Sequence, residues 1–82
     1  MKTIRYYPPL RGIIQKESEE TEAASVKEVL DDIRSVYGKE AYTAAKSALI
    51  VVNDVSIGLY RGIKTHLNDG DTVGFLPLCG GG

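Results

Sequence analysis

Apolar and polar positions alternate over Thr3-Ile4-Arg5-Tyr6-Tyr7, which places Ile4 and Tyr6 on one face and Arg5 and Tyr7 on the other. That pattern predicts a strand, ended by Pro8-Pro9 because proline cannot continue a ladder. Leu10 to Ile14 is expected to turn back toward a second strand. Lys16 to Glu22 carries Glu17, Glu19, Glu20 and Glu22, and residues 15–24 read equally as a weak strand or a solvated loop. A strand this acidic belongs at a sheet edge, where charge discourages unwanted pairing. From Ser25 the period changes. Val26, Val29, Leu30, Ile33 and Val36 or Tyr37 share one stripe, while Lys27, Asp31, Asp32 and Arg34 lie off it. Ser25 and Glu28 form a capping box at the start, and Gly38 sits where a left-handed C-terminal residue is wanted. A second, short helical piece is expected over Glu40–Lys46, on Ala41, Ala44 and Ala45.

Ala48-Leu49-Ile50-Val51-Val52 is a continuous apolar run rich in β-branched residues, hence a buried strand, turned by Asn53-Asp54. Val55 to Gly62 reads as a short strand or an ordered loop. Asn68-Asp69-Gly70-Asp71 is a strong turn signal. The last strand, Thr72 to Leu76, points Val73 and Phe75 inward and Gly74 and Leu76 to the other face. The order predicts an α+β domain: a mixed sheet of four to five strands with one main helix, about 25–37, packed across it.

Composition narrows the chemistry. The chain has 82 residues, 43% hydrophobic and 26% charged, which fits one small globular domain. A net charge of −1 gives no basic footprint, so no nucleic acid partner is expected. No apolar run is long enough to span a bilayer and no charged-then-apolar leader opens the sequence; no membrane association and a cytoplasmic location are expected. Cys79 is the single cysteine, which fits a reducing compartment. One histidine, His66, and one cysteine do not make a metal cluster, so no metal is expected. Gly38-Lys39 lacks the upstream glycine and the following Ser or Thr of a phosphate-binding loop. Spacing offers no Ser-His-Asp or Cys-His arrangement, and the chain reads poorly as a self-sufficient enzyme.

The residues that stand out are Gly80-Gly81-Gly82, directly after the last strand. Residues 1–77 read as the folded domain and residues 78–82 as a flexible glycine tail. Without Cβ atoms, Gly80 and Gly81 let the chain enter a channel that rejects other residues. The carboxylate of Gly82 is then the working group, carried on Leu78 and Cys79. Extended, these five residues reach about 16–18 Å. A frayed, unselected terminus is the rival reading. Tyr7 and Leu76, apolar and facing away from the expected core beside the tail, are candidate partner-binding residues, and Phe75 is grouped with them. Cys79 reads as an unremarkable exposed thiol and His66 as decoration on a loop. The glutamate run reads as a solvated edge, with steering toward a basic partner as its functional alternative.

Three blocks carry a resemblance. They are Tyr6-Tyr7-Pro8-Pro9-Leu10-Arg11, then Val51-Val52-Asn53, then His66 to Pro77 followed by Gly81-Gly82. Together they resemble the ubiquitin-like β-grasp sulfur carriers, and among them the molybdopterin synthase small subunits. Pro77-Leu78 where two prolines are common, a third glycine at Gly80, and a long Val55–Thr65 segment depart from that pattern. The resemblance implies that the chain binds no cofactor itself. A ubiquitin-activating-type enzyme consumes ATP to adenylate Gly82, a sulfur donor protein supplies sulfur, and the resulting thiocarboxylate acts in the large subunit of molybdopterin synthase on a pterin precursor. The alternatives are a ubiquitin-like protein modifier, a carrier for thiamine or cysteine synthesis, and a β-grasp interaction module with an idle tail.

Overall fold

The computed structural model describes residues 1–77; the expectations on Leu78, Cys79, Gly80, Gly81 and Gly82 lie outside the described residues. Five strands form one mixed sheet: β1 (Lys2–Tyr6), β2 (Ser18–Thr21), β3 (Leu49–Val52), β4 (Val55–Ser56) and β5 (Thr72–Leu76). Their order is β2-β1-β5-β3-β4, with β1 and β5 parallel and the other neighbours antiparallel. Three helices, α1 (Leu10–Ile14), α2 (Val26–Tyr37) and α3 (Lys39–Ser47), supply the other layer. This is the α+β mixed sheet that the sequence order predicts, in the β-grasp arrangement that the resemblance implies.

The core lies between the layers. Ile4 and Tyr6 of β1, Val73 and Phe75 of β5, and Ile50 and Val52 of β3 meet Val26, Val29, Leu30 and Ile33 of α2. The Tyr6 and Phe75 rings stack with centroids 6.2 Å apart. Ala41 and Ala45 are fully buried on α3, where only a methyl group separates the helix from its neighbours.

The main helix starts as its sequence requires. Ser25 Oγ accepts the Glu28 amide at 3.2 Å, but Glu28 Oε1 reaches past the cap residue to accept the Ala24 amide at 3.4 Å. Gly38 ends it with φ +97° and ψ −179°, a region that is essentially glycine-only, and α3 begins at once. The second helix runs Lys39–Ser47, one residue longer at each end than the alanine pattern implies.

Leu10–Ile14 forms a short helix instead of turning back as expected. Leu10 and Ile14 are one helical turn apart and both buried, so tertiary burial selects the helix. Gln15, at φ +65°, donates its amide to Arg11 O at 2.7 Å and closes the turn. The acidic stretch resolves as the edge strand β2, paired only to β1. One of its glutamates is not solvated decoration. Glu19 Oε2 accepts the hydroxyls of both Tyr6 and Tyr37, the latter at 2.8 Å, and Oε1 faces Lys16 at 3.4 Å.

This cluster sets a pH dependence. Burial alone pushes the Glu19 carboxyl up; the two tyrosine hydrogen bonds and the Lys16 charge outweigh it and hold the group below the ordinary glutamate range. A depressed carboxyl contributes stability above its unfolded value, and that contribution is lost as pH falls through the folded one. Glu19→Gln is expected to lower stability by about 1–2 kcal/mol at neutral pH. The gap from wild type should close below about pH 4. Thermal melts across pH check this, and a gap that persists unchanged at low pH would rule out the charged hydrogen bonds as its source.

Candidate functional site

The face of the sheet opposite the helices is built by register. Arg5 pairs with Gly74, Gly74 with Val51, and Val51 with Ser56 in one row across four strands. The next row toward Pro77 holds Leu76 opposite Leu49, with Tyr7 just beyond the Tyr6–Phe75 pair. Alternation therefore puts Arg5, Tyr7, Leu76, Leu49 and Val51 on one surface, around a glycine.

Gly74 shapes that surface. A Cβ there would lie 3.1 Å from Val51 Cγ2 and 3.8 Å from Tyr7 Cε2. The Val51 methyl and the Tyr7 ring close over the bare backbone, so Val51 is only 8% exposed although it faces away from the helices. The result is a low apolar shelf. Leu49 stands 37% exposed at one side, Leu76 and Tyr7 are half-buried, and exposed Arg5 makes no ion pair among the described residues. Beside the shelf a cleft of about 210 Å³ opens between Tyr7, Pro8, Pro9, Ala44, Ala48 and Pro77. Leu76 and Pro77 line that cleft, so shelf and cleft adjoin the end of β5.

Tyr7 and Leu76 thus come together as the sequence implies. Phe75 does not join them. It is 1% exposed, its ring stacks on Tyr6, and strand alternation turns it into the core; its assignment to partner binding is corrected. Sequence reasoning missed Leu49, Val51 and Arg5. The available signal was the two-residue alternation inside Ala48–Val52, hidden because every position there is apolar.

The acidic glycine turn is structural. Gly70 takes φ +87°, Asp69 Oδ1 accepts the Met1 amino group at 2.9 Å, and Asp71 accepts the Asn68 amide at 2.8 Å and Asn53 Nδ2 at 3.0 Å. The Asn68 amide first, then Asn53, holds the Asp71 carboxyl below its ordinary range. Exposed His66 bridges Ser25 through the backbone. Among the described residues no group of three His, Cys, Asp or Glu could hold a metal ion, and no helix is long and apolar enough to cross a membrane.

The site among the described residues is therefore an apolar shelf with a cleft beside it at the end of β5. The ThiS family model matches residues 4–82. The chain belongs to the ThiS family. Solved structures agree with that assignment. A chain of the BexX/CysO complex from Amycolatopsis orientalis superposes with TM-score 0.81 at 27% identity, covering 100% of both chains. A chain of the complex of subunits 1 and 2 of molybdopterin-converting factor from Helicobacter pylori gives 0.70 at 25% identity, covering 99% of this chain and 97% of that one. Small archaeal modifier protein 1 from Methanosarcina acetivorans gives 0.81 at 23% identity, covering 99% and 95%. No curated protein sequence matches significantly. As a ThiS family member the chain is a ubiquitin-like sulfur carrier.

Proposed function

We propose that this chain is the small, sulfur-carrying subunit of a molybdopterin synthase. The observation that carries the reading is the apolar shelf of Tyr7, Leu49 and Leu76 at the root of Gly80-Gly81-Gly82, within a family match that extends to residue 82. The likeness to the Helicobacter pylori converting-factor complex supports the pterin branch.

Chemistry assigns the steps. A carboxylate is a poor acyl donor because its leaving group would be oxide. A ubiquitin-activating-type enzyme joins the Gly82 carboxylate to AMP from ATP, releasing pyrophosphate. Sulfide-level sulfur released from a donor protein then attacks the acyl carbon and displaces AMP, leaving a thiocarboxylate. The thiocarboxylate sulfur, now a nucleophile, bonds to a carbon of the pterin precursor inside the large subunit; water then cleaves the acyl–sulfur bond, so the sulfur stays on the pterin and the terminus returns to a carboxylate. In this scheme the chain binds no cofactor; its own residues hold the shelf against each partner in turn while Gly80 and Gly81 keep the backbone slim.

A second reading is a carrier whose sulfur goes to a different acceptor. The higher identity and full coverage of the matched chain in the Amycolatopsis BexX/CysO complex favour it. Intact mass separates these from an idle tail: incubation with ATP, the adenylating enzyme and a sulfur source should add about 16 Da, the exchange of one oxygen for sulfur. Return to the original mass on adding the large subunit and pterin precursor supports molybdopterin synthesis. Retention of the sulfur there, with an active large subunit, supports the second reading. No mass gain with an enzyme active on a known carrier would overturn both.

A further inference from the structure

The described surface carries six exposed large apolar side chains, and three of them crowd into five positions: Leu59 at 79%, Tyr60 at 48% and Ile63 at 43% exposure. Leu59 and Ile63 sit on two short 3₁₀ turns after β4, Ile57–Leu59 and Gly62–Lys64, and Tyr60 lies on the link between them. Ser56 to Asn68 contains no Asp or Glu, although acidic residues outnumber basic ones 11 to 10 in the whole chain. It holds Arg61, Lys64 and His66, and neither Arg61 nor Lys64 makes an ion pair among the described residues.

Looseness does not explain this exposure. Ser56 Oγ accepts the Gly58 amide at 3.2 Å. Buried Thr65 accepts the Arg61 amide at 3.1 Å and donates to Gly62 O at 2.6 Å, while Gly62 takes the bend at φ +60°. The backbone is tied at both ends, so Leu59, Tyr60 and Ile63 are presented on a scaffold that has little ordering entropy left to lose on binding. Tyr60 and Arg61 also form one wall of an open groove of about 430 Å³ facing Asn53 and His66. Asp71, the carboxylate of that groove, has both oxygens engaged by Asn53 and Asn68.

We propose that Ile57–Lys64 is a second docking surface, for a protein segment that interleaves carboxylates with apolar side chains. Carboxylates on the partner meet Arg61 and Lys64, and its apolar groups cover Leu59, Tyr60 and Ile63. A second copy paired about a two-fold axis is the poorer occupant, because it would bring Arg61 and Lys64 against their own copies. This surface is separate from the Tyr7–Leu76 shelf and does not depend on the proposed carrier function.

The test is an amide chemical-shift titration of the whole chain with a short synthetic peptide alternating Glu with Leu and Phe, beside a matched peptide carrying Lys for Glu. Binding of the acidic peptide with shifts confined to residues 57–66 is expected, at a dissociation constant of roughly 10–1,000 μM. Arg61→Glu with Lys64→Glu should weaken it about tenfold or more, and higher salt should weaken it too. Leu59→Ser should weaken it while Leu76→Asp leaves it unchanged. Equal binding of the Lys peptide, shifts centred on Tyr7 and Leu76, or no shift at about 1 mM peptide would overturn the proposal. So would sedimentation showing self-association that Arg61→Glu abolishes, since the occupant would then be a second copy.

Discussion

On the proposed function, Leu76→Asp is expected to weaken binding to the large subunit of molybdopterin synthase by about 2–4 kcal/mol, roughly 30- to 1,000-fold in Kd, while the domain stays folded. Leu76 is half-buried opposite Leu49 and next to Tyr7, at the end of β5 from which the glycine segment continues. A partner that receives the tail must also cover this end of the sheet. A carboxylate at position 76 would then be desolvated among Leu49, Tyr7 and Val51, while Arg5, the cation of that face, stands opposite Gly74 and not opposite position 76. In the free domain the same carboxylate keeps access to water, so its effect on folding is expected to stay near 1–2 kcal/mol. Calorimetric titration of wild type and variant, with a parallel urea melt, measures both quantities. Unchanged affinity with an intact fold would remove the shelf from the docking face and leave the tail as the only link between the subunits.

Phe75→Ala is expected to do the reverse. The ring is 1% exposed and stacks on Tyr6 in the middle of the core. Removing it leaves a cavity between β5 and the helices, and such truncations cost about 3–5 kcal/mol. A domain of this length has a total stability of roughly 4–12 kcal/mol, so the variant should lose a large share of it and unfold at markedly lower urea. Any binding defect should scale with the unfolded fraction. A Phe75→Ala protein with wild-type stability and impaired docking would restore this residue to the partner surface and contradict the strand register.

These two neighbours show what the sequence discloses and what it hides. Alternation along Thr72–Leu76 is legible because Gly74 and the flanking turn mark its phase, and it assigns Phe75 inward and Leu76 outward. Grouping Phe75 with the docking residues sets that phase aside in favour of nearness to the tail. The α2 helix is legible from its stripe, its Ser25 cap and Gly38, each a local signal. The α1 helix is not, because five residues after two prolines are too few to show a period; the burial that fixes it comes from contacts remote in sequence. The same holds for Glu19. Nothing in a run of glutamates singles one out, since its partners Tyr6 and Tyr37 lie 13 and 18 residues away. The shelf was half visible: Tyr7 and Leu76 stand out as apolar residues among polar ones, whereas Leu49 and Val51 are camouflaged by apolar neighbours.

The parallel pairing of β1 with β5 at the centre of the sheet also has a mechanical consequence. Thr3 faces Thr72 and Tyr6 faces Phe75, so the start of β1 and the end of β5 lie at opposite ends of the same ladder. A pull on the chain beyond Pro77, resisted at the opposite end of the domain, loads these hydrogen bonds in shear, all together, instead of peeling them one at a time. An anchor of that geometry gives way only when the whole ladder slips. A force applied along the chain beyond Pro77 is therefore carried by the ladder as a whole.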